Sequence, residues 1–595
     1  MCGIIAYVGE KKGEEIVLKG LKRLEYRGYD SWGMAAKKEG KIIFHKQVGK
    51  IGGIEIKKDL VGFSGNICMG HTRWATHGGV TAKNSHPHFS CDKRIFVVHN
   101  GIIENYQELR KKLETKSHKF ISQTDTEVIA HLIEEELKNK NDLIAAVRKS
   151  LNKLEGSYAV VILDRDSDTV IGARKGSPLV MGIGENEYFF ASDVPAFLEY
   201  VNKVIFLDEL EMGVIEKQNK NYNYRIINVE TGKALNKKIS KVEWSLSDAE
   251  KGGNAYFMIK EMLEQPEVIA KVIMTEEEDL KKAAAMIKAA KRIFVVACGT
   301  ALHAGIYGSY LFAINNNLHL IPISAGEFPY FAHLVRRDDL VICVSQSGET
   351  ADVLEAVRTA HKARARVLAL VNVLGSSLMR LANFSVLTKA GPEICVLSTK
   401  AFTSQTSIFL MLSFYLKKEI NNARKMLETA KKDVAKITAA VNLANIKKLA
   451  KKLSHAENLY VLGRGICYAN ALEAALKIKE VSYIHAEGFA GGDLKHGPIA
   501  LIEKGVPVIV FASPDVSEQE IISNAMEVKA RGAEVIGISY RNNEVFDYFL
   551  PVAKNGLAAP ISAIVYAQII AYYIALEKKL DPDKPRNLAK SVTVK

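Results

Sequence analysis

The sequence has few of the features that cross-link a chain, anchor it in a membrane or direct its secretion. Its 595 residues include seven cysteines, at positions 2, 68, 91, 298, 343, 395 and 467, with no Cys-x-x-Cys pair and no Cys/His spacing typical of a metal site. An odd, scattered set of cysteines excludes a disulfide scaffold and favours a reducing compartment. The first ten residues have no basic stretch and too short an apolar run for a secretory signal. We therefore expect a cytoplasmic protein.

Long apolar runs are also scarce. Residues Leu557 to Leu576 carry no charge, and about 20 apolar residues suffice to cross a bilayer. This stretch nevertheless contains Pro560, Ser562 and Gln568, and it follows a pattern of alternating strands and helices. We predict a buried core helix and no membrane partner.

The composition is that of a globular protein of several domains. Hydrophobic residues make up 48% and charged residues 25% of the chain, which excludes disordered and collagen-like classes. The net charge of +14 permits anionic partners, but the lysines are scattered through helix-like segments and form no basic stripe with interleaved aromatic residues. We expect a diffuse solvated surface and no nucleic-acid partner.

The hydrophobic pattern changes along the chain. Residues 2–216 mix short strand-like runs with helical stretches and predict an α+β domain. Residues 217–280 start polar and Lys/Asn-rich, which predicts a linker and peripheral segment. Continuous apolar strands then alternate with long helices, as in parallel sheets covered on both faces. We place these α/β domains at 281–424 and 447–585, followed by a C-terminal tail at 586–595.

The two α/β segments repeat one pattern at an offset of 166 residues. Ile293 to Gly299 matches Leu459 to Gly465, and the strand from Leu340 to Val344 matches Val506 to Val510. Two copies of one doubly wound domain follow from this match. After the second strand only the first copy has a hydroxyl-rich loop, Ser345 to Thr350.

The loop from Ser345 to Thr350 is a candidate anion site. It lies between a buried strand and a predicted helix at 351–365, where hydroxyls, backbone N–H groups and the helix dipole favour a phosphate. A Ser/Gly turn with a helix cap uses the same residues. The position at the carboxyl end of a strand favours the ligand. The chain has no Walker A sequence, and a third fingerprint glycine is missing after Gly463 and Gly465, so a phosphorylated small molecule is favoured over a nucleotide.

Cys2 is a candidate nucleophile. If Met1 is removed, the thiol shares one residue with a free α-amine, whose pKa near about 8 suits a general base. Asn100 and the Gly101 N–H could form an oxyanion hole, Arg73 could bind a carboxylate, and Asp125 could hold an amine. These groups together describe an amino-acid amide site.

Each of these features also has a purely structural interpretation. A cysteine at position 2 can be incidental, and Asn100-Gly101 is a hairpin-turn signal. Residues 124–127 form a capping-box pattern, and Arg73 could belong to a structural ion pair.

In combination the motifs resemble the isomerising glutamine:fructose-6-phosphate amidotransferases, the glucosamine-6-phosphate synthase family, over essentially the whole chain. Motifs in both halves carry the resemblance: Met1 to Ile4, Leu24 to Ser31, His71 to Gly78, Val98 to Gly101, Ser345 to Thr350, Ser398 to Thr403, Glu480 with His485 to Glu487, Leu494 to Pro498, and Pro585 to Lys595. The resemblance implies an N-terminal-nucleophile (αββα) glutaminase domain followed by two doubly wound sugar isomerase (SIS) domains.

For the glutaminase half, the resemblance implies that Cys2 attacks the glutamine amide while Asn100 and Gly101 hold the oxyanion. Trp74 would gate an internal channel that carries ammonia to the sugar site. Residues that would bind glutamine are Arg73, Thr76, His77 and Asp125.

For the isomerase half, the resemblance implies that Lys590 forms the imine with the ketose or assists at that carbon, and that Glu480 moves the proton between C1 and C2. His496, from a neighbouring subunit, would open the sugar ring. Residues that would bind the sugar phosphate are Ser345, Gln346, Ser347, Thr350, Val396 and Lys477. Without the resemblance, Lys477 and Glu480 would be a helix surface pair, and the tail with Lys590 would be expected to fray.

The function implied is glutamine-dependent conversion of fructose 6-phosphate into glucosamine 6-phosphate and glutamate, the first committed step towards UDP-N-acetylglucosamine. A homodimer is implied, and no metal, nucleotide or organic cofactor. An aminosugar isomerase would lack the Cys2 half, a phosphosugar-sensing regulator would need an effector domain, and a phosphoribosyl amidotransferase would lack the paired SIS domains.

Two positions depart from the family pattern. Ala301 stands where the family usually has serine, so one sugar or phosphate contact is expected to be missing. Trp32 stands where the family commonly has alanine, near the expected glutamine pocket, which it could reshape without touching the nucleophile.

Overall fold

The computed structural model describes residues 2–138, 142–219, 221–242 and 250–593. The chain forms two compact units. One contains residues 1–249 together with 349–351 and 591–595, and the other contains residues 250–348 and 352–590.

The first unit is built from antiparallel strands and a few helices. Its strands are β1 (Gly3–Val8), β2 (Ser31–Lys38), β3 (Lys41–Val48), β4 (Ile67–Arg73), β5 (His88–Phe89), β6 (Ile95–Ile103), β7 (Gly156–Asp164), β8 (Thr169–Lys175), β9 (Val180–Ile183), β10 (Tyr188–Ala191), β11 (Lys203–Phe206), β12 (Glu211–Gln218), β13 (Asn221–Asn228), β14 (Ala234–Leu235) and β15 (Ser240–Lys241). Its helices are α1 (Gly13–Leu24), α2 (Ile56–Asp59), α3 (Tyr106–Glu114), α4 (Glu127–Leu137) and α5 (Leu143–Leu151).

These elements form four layers. One sheet has the strand order β15-β11-β9-β10-β1-β4-β2-β3 and the other β14-β13-β12-β8-β7-β6-β5. Apolar side chains from both sheets, such as Ile4 and Val98, form a common core between them. Helix α1 packs on β1 and β4, and α3 to α5 cover the second sheet through residues such as Ile129 and Val147. The predicted αββα fold is confirmed.

Asn100 and Gly101 lie within a strand. They belong to β6 and pair with Ala159 and Tyr158 of β7, so the hairpin interpretation is wrong. Gly101 has φ +138°, and a Cβ there would lie 2.0 Å from the carbonyl oxygen of Ser157. Only glycine fits at this point of the strand.

The predicted linker at 217–280 is largely regular structure. Strand β13 pairs with β12 along its full length, because residues such as Tyr222 and Ile226 alternate towards the core between the sheets. The polar, Lys/Asn-rich composition reflects the solvent-facing side of this edge hairpin. Residues 220 and 243–249 lie outside the described residues, and the chain from 257 on already belongs to the helices of the second unit.

The second unit contains short parallel strands, β16 (Ile293–Ala297), β17 (Leu320–Ser324), β18 (Leu340–Ser345), β19 (Arg366–Val371), β20 (Phe384–Leu387), β21 (Asn458–Gly463), β22 (His485–Ala490), β23 (Pro507–Ala512), β24 (Glu534–Ser539) and β25 (Tyr548–Pro551). Its helices are α6 (Phe257–Leu263), α7 (Gln265–Ile273), α8 (Glu277–Lys288), α9 (Gly299–Asn316), α10 (Ala351–Lys362), α11 (Ser377–Leu381), α12 (Lys400–Leu416), α13 (Ile420–Ile437), α14 (Ala440–Leu453), α15 (Tyr468–Ser482), α16 (Glu518–Lys529) and α17 (Ala559–Glu577).

The two repeats have the same topology. The sheet orders are β17-β16-β18-β19-β20 and β22-β21-β23-β24-β25, with all strands parallel. In each sheet the strand order reverses between the first and third strands of the repeat, and ligands of such sheets bind at the carboxyl ends there. The prediction of two doubly wound domains is confirmed.

Helix α17 is the long apolar helix of the second unit. By length and composition alone the segment Gly556–Glu577 could cross a bilayer, but 89% of its apolar window is buried inside the protein. Residues such as Ile564 and Ile570 are fully buried in the common core of the two repeats, as expected for a core helix.

Candidate active site

The thiol of Cys2 is held at the start of β1. Its Sγ accepts a hydrogen bond from the N–H of Trp74 at 3.3 Å. The carbonyl oxygen of Cys2 accepts from Asn100 Nδ2 at 3.0 Å and from Arg27 Nε at 3.1 Å. Strand β1 lies next to β4, which ends at Arg73. The structure therefore brings Cys2, Trp74 and Asn100 together, although they are far apart in sequence.

The local environment opposes ionisation of the thiol. Burial raises the pKa of Cys2, and the carboxylate of Asp125 adds to the rise, while the Trp74 N–H and Arg73 act in the opposite direction. Because the thiolate is the reactive form, a base close to the sulfur is needed at neutral pH.

The side-chain amide of Asn100 has a fixed orientation. His71 Nε2 lies 2.9 Å from the carbonyl oxygen of His99 and 3.1 Å from Asn100 Oδ1, so it donates to both. Burial lowers the pKa of His71 to about 3, which keeps the ring neutral. The NH₂ group of Asn100 consequently points to the Cys2 carbonyl and, at 2.7 Å, to Ser192 Oγ. A donor aimed beside the thiol is what an oxyanion hole requires.

The expected glutamine-binding residues surround the same strand ends. Arg73 NH1 donates to the Gly79 carbonyl at 3.2 Å and NH2 donates to the His77 carbonyl at 2.5 Å, so the guanidinium organises the 77–79 loop. Thr76 is exposed and His77 is half-buried. Asp125 Oδ2 accepts from the N–H of Ile103 at the end of β6. The capping-box interpretation of Thr124 and Glu127 fails because α4 begins only at Glu127, whose carboxylate accepts from the N–H groups of Ile121 and Ser122.

Several residues that support this site were not predicted. Asp30 accepts from the Ala75 N–H at 2.9 Å and its own N–H donates to the Arg73 carbonyl, which fixes the chain on both sides of Trp74. Ser192 Oγ accepts from Ile4 N and thereby positions the first strand. A pattern search could have found Asp30 within the motif Leu24 to Ser31, whereas Ser192 carries no local signal.

Trp32 is buried beside the site. It lies in β2, opposite Thr72 of β4, and its ring packs against His45 with centroids 5.2 Å apart. The bulky residue is thus buried in the strand next to β4.

In the second unit, the predicted anion loop follows β18 directly. Ser345 ends the strand and is buried, and its Oγ accepts from the Gly348 N–H at 3.0 Å. Gln346 and Ser347 are half-buried. Gly348 has φ +68°, and a Cβ there would lie 2.2 Å from Ser376 Oγ, so glycine is required for the turn. Thr350 immediately precedes α10.

A buried charge network joins the two repeats next to that edge. Lys477 on α15 lies 2.7 Å from Glu480 Oε2 and 3.5 Å from Glu473 Oε1, and its ammonium donates to Thr300 Oγ1 at 3.1 Å. Burial opposes the charge of Lys477, but Glu473 and Glu480 raise its pKa. Since Thr300 follows β16, the neighbour of β18, the network belongs to the switch point of the first sheet.

Lys590 is ordered by a second buried carboxylate. Its ammonium lies 2.5 Å from Glu393 Oε2 and 3.3 Å from Ser398 Oγ. Glu393 Oε1 accepts from the N–H groups of Thr399 and Ala401. Burial would raise the pKa of Glu393, but Lys590 holds it below its usual value. The C-terminal tail is therefore packed at this point, contrary to the expectation for a free end.

The remaining predicted residues differ in exposure. Val396 is buried and its N–H donates to the Asp583 carbonyl at 3.2 Å. His496 is exposed and ends the 3₁₀ turn Gly491–His496. Ala301 lies in the first turn of α9, directly after Thr300. Glu393 was not predicted, because neither its spacing nor its neighbours distinguish it from other core-flanking acids.

Two kinds of known domain match the chain. A family described as glutamine amidotransferase domain matches residues 71–199, and the SIS domain family matches residues 286–414 and 452–577. Fold and sites thus define a glutamine amidotransferase joined to a pair of SIS domains.

Full-length relatives narrow this class. The chain is 45% identical over 605 residues to the glutamine–fructose-6-phosphate aminotransferase (isomerizing) of Thermococcus kodakarensis and 43% identical over 602 residues to that of Pyrococcus horikoshii, with all of each chain covered. The solved C-terminal domain of glucosamine-fructose-6-phosphate aminotransferase from Francisella tularensis matches with TM-score 0.52 and 34% identity over 56% of this chain and 99% of that one. The chain belongs to the isomerizing glutamine–fructose-6-phosphate aminotransferase family of enzymes.

Proposed function

We propose that this enzyme transfers the amide nitrogen of glutamine to fructose 6-phosphate and isomerises the product, which gives glucosamine 6-phosphate and glutamate. The observation that carries the proposal is the pairing, in one chain, of a Cys2 thiol beside the oriented amide of Asn100 with a Lys/Glu network at the switch point of an SIS sheet. The first site suits amide cleavage, and the second suits proton transfer on a phosphosugar.

In the first half-reaction, removal of Met1 frees the α-amine of Cys2, which takes the thiol proton. The thiolate attacks the amide carbon, and the Asn100 NH₂ and Gly101 N–H stabilise the oxyanion. Collapse of this intermediate expels ammonia with the proton from the amine and leaves a thioester, which water hydrolyses to glutamate. Arg73 and Asp125 hold the two charged ends of the amino acid, with Thr76 and His77 closing the pocket.

In the second half-reaction, the phosphate binds at the loop of Ser345, Gln346, Ser347 and Thr350, with Val396 and Lys477 lining the pocket. Glu393 holds Lys590 in place, and the amine of Lys590 attacks C2 of the open-chain ketose, with loss of water as the imine forms. Ammonia from the first site then adds at C2, which releases Lys590 and leaves the nitrogen on the sugar. Glu480 moves a proton between C1 and C2, and the Lys477 ammonium, 2.7 Å from its Oε2, holds the carboxylate in position.

His496 opens the sugar ring from a second copy of the chain. Its exposure in the single chain supports this role, and it makes the active enzyme a homodimer. Trp74, whose N–H is bonded to the Cys2 sulfur and whose ring packs edge-on against Tyr29, gates the passage of ammonia to the sugar. The seven free cysteines support a cytoplasmic location, since a reducing compartment keeps thiols unpaired.

The test is a time course with glutamine and fructose 6-phosphate that quantifies glutamate and glucosamine 6-phosphate, with each substrate omitted in turn. One-to-one products that require both substrates are expected. Cys2→Ala is the internal control, since it should abolish glutamate formation while sparing fructose 6-phosphate isomerisation. Glutamate without amino sugar would refute the sugar acceptor, and equal loss of both activities in Cys2→Ala would refute two separable sites.

A further inference from the structure

A cluster of four potential metal ligands lies on the helical side of the first unit. Cys91 is in the turn between β5 and β6, His118 in the loop before α4, and His131 and Glu134 are one turn apart on α4. One donor atom from each lies within 4.8 Å of all the others. Both histidines are buried, whereas Glu134 is half-buried and Cys91 is at the surface.

The spacing of these atoms matches the edges of a tetrahedron. His118 Nδ1 and His131 Nδ1 are 3.3 Å apart, and they lie 2.9 and 3.3 Å from Glu134 Oε2. Cys91 Sγ lies 3.9 and 3.6 Å from the same two nitrogens. A tetrahedral zinc ion with bonds of about 2.0–2.1 Å to nitrogen or oxygen and about 2.3 Å to sulfur requires edges of about 3.3 and 3.6 Å.

The two histidines also make the contacts on their far ring nitrogens that metal-bound histidines make. Both rings direct Nδ1 inward, and their Nε2 atoms face carboxylates: His118 faces Glu135 at 3.0 Å and His131 faces Glu127 at 3.5 Å. A carboxylate on the far nitrogen fixes the tautomer that leaves the inner nitrogen free to bind a metal.

The sulfur and the carboxylate are supported by the backbone. The N–H of Lys119 donates to Cys91 Sγ at 3.3 Å, which fixes the position of the sulfur. Glu134 accepts from the N–H groups of Cys91 and Asp92, both at 3.2 Å. These bonds hold the sulfur and the carboxylate next to each other, as two ligands of one ion would be.

We propose that Cys91, His118, His131 and Glu134 form a structural site for one tetrahedral divalent transition-metal ion, of which Zn²⁺ fits the mixed S, N and O donors best. Four protein ligands leave no position for substrate, so the ion acts on structure. The ion connects the turn between β5 and β6, the loop before α4 and helix α4 itself. Helix α4 begins two residues after Asp125, one of the proposed glutamine-binding residues. The proposal departs from the expectation, drawn from the resemblance, that the chain uses no metal.

The test measures metal directly in the full chain, produced without a histidine tag and dialysed against metal-free buffer. Elemental analysis should find about one zinc per chain, and removal with a chelator followed by Co²⁺ should give a thiolate-to-cobalt charge-transfer band with the visible spectrum of tetrahedral Co²⁺. X-ray absorption of the zinc form should show one sulfur among four ligands. None of these readouts involves substrate, so they are independent of the proposed reaction.

Matched variants locate the ion. Cys91→Ser should abolish the charge-transfer band, and His118→Gln and Glu134→Gln should lose stoichiometric metal, while Glu135→Gln should weaken binding by about 10–100-fold. Controls that should retain one metal per chain are Cys298→Ser, His455→Gln and Glu136→Gln. If a ligand variant fails to fold, the absorption spectrum of the unmodified chain decides the question.

Three results would overturn the proposal. The unmodified chain could fail to take up stoichiometric zinc or cobalt. The bound ion could have no sulfur ligand. Finally, metal could persist in all the ligand variants, which would place it elsewhere in the chain.

Discussion

The orientation of the Asn100 amide gives the sharpest test of the glutaminase site. Asn100→Asp keeps the size of the side chain but replaces its NH₂ by an oxygen. The two acceptors now bonded to Nδ2, the Cys2 carbonyl at 3.0 Å and Ser192 Oγ at 2.7 Å, are retained in the variant. The variant therefore loses the oxyanion donor and places a negative charge where negative charge must develop.

The magnitude follows from the loss of one donor. Removing a single oxyanion-hole donor costs about 2.7–4 kcal/mol, or about 10²–10³ in kcat. We expect glutamate formation to fall at least about 100-fold, since the added charge also opposes the thiolate. Isomerisation of fructose 6-phosphate depends on residues of the second unit and should stay within about twofold of the unmodified enzyme.

The assay measures glutamate release and fructose 6-phosphate isomerisation on the same preparation. Asn105→Asp is the matched control, because the side chain of Asn105 bonds the Lys153 carbonyl and the Glu155 N–H, neither of which belongs to the proposed site. The reasoning is refuted if Asn100→Asp cleaves glutamine as fast as the control, or if both activities fall together while the fold is retained.

Three other perturbations probe groups inside both units. Gly101→Ala should abolish soluble expression, because its Cβ would meet the Ser157 carbonyl at 2.0 Å; a folded variant with normal circular dichroism would contradict this. Glu393→Gln should lower the free energy of unfolding by about 3–5 kcal/mol, since it leaves the Lys590 ammonium without its carboxylate. Urea unfolding measures this change, with Glu267→Gln as the control because it breaks an exposed pair with Lys271. Equal unfolding midpoints for the two variants would refute the prediction. Burial lowers the pKa values of four histidines, His71, His86, His88 and His99. The unfolded chain then binds protons that the folded chain does not. Acidification from about pH 7.5 to 5.5 should therefore lower the free energy of unfolding by about 1.4 kcal/mol for each ring that stays neutral in the folded protein. Thermal unfolding at the two pH values checks the sign, and greater stability at the lower pH would refute the prediction.

Much of the fold could be predicted because its periodicity is local. The apolar strands of the two repeats and the helix at α17 follow directly from hydrophobic patterns. The errors arose where tertiary pairing overrides composition. Asn100-Gly101 is a turn signal by itself, yet β7 continues the ladder past it, and the polar residues of β13 look like a linker until β12 pairs with them.

Some of the candidate site residues could likewise be predicted from local sequence, and others could not. The Ser345 loop could be found by reasoning from its own residues, because an anion site at a strand end uses a contiguous segment. Lys590 was found only by resemblance, since its partner Glu393 is 197 positions away. The cluster at Cys91 was missed because its ligands are separated by 27, 13 and 3 positions, and the first of these intervals matches no short metal motif.

The two SIS repeats share their topology but contribute different residues to the second site. The first repeat offers the hydroxyl loop after β18, and the second offers α15 with Lys477 and Glu480, bridged to the first through Thr300. Each repeat therefore holds only part of the second site. A chain with two copies of the first repeat would bind the sugar phosphate but lack Lys477 and Glu480. A chain with two copies of the second repeat would have these two residues but lack the phosphate-binding loop. Exchange of one repeat for the other should therefore not restore the enzyme.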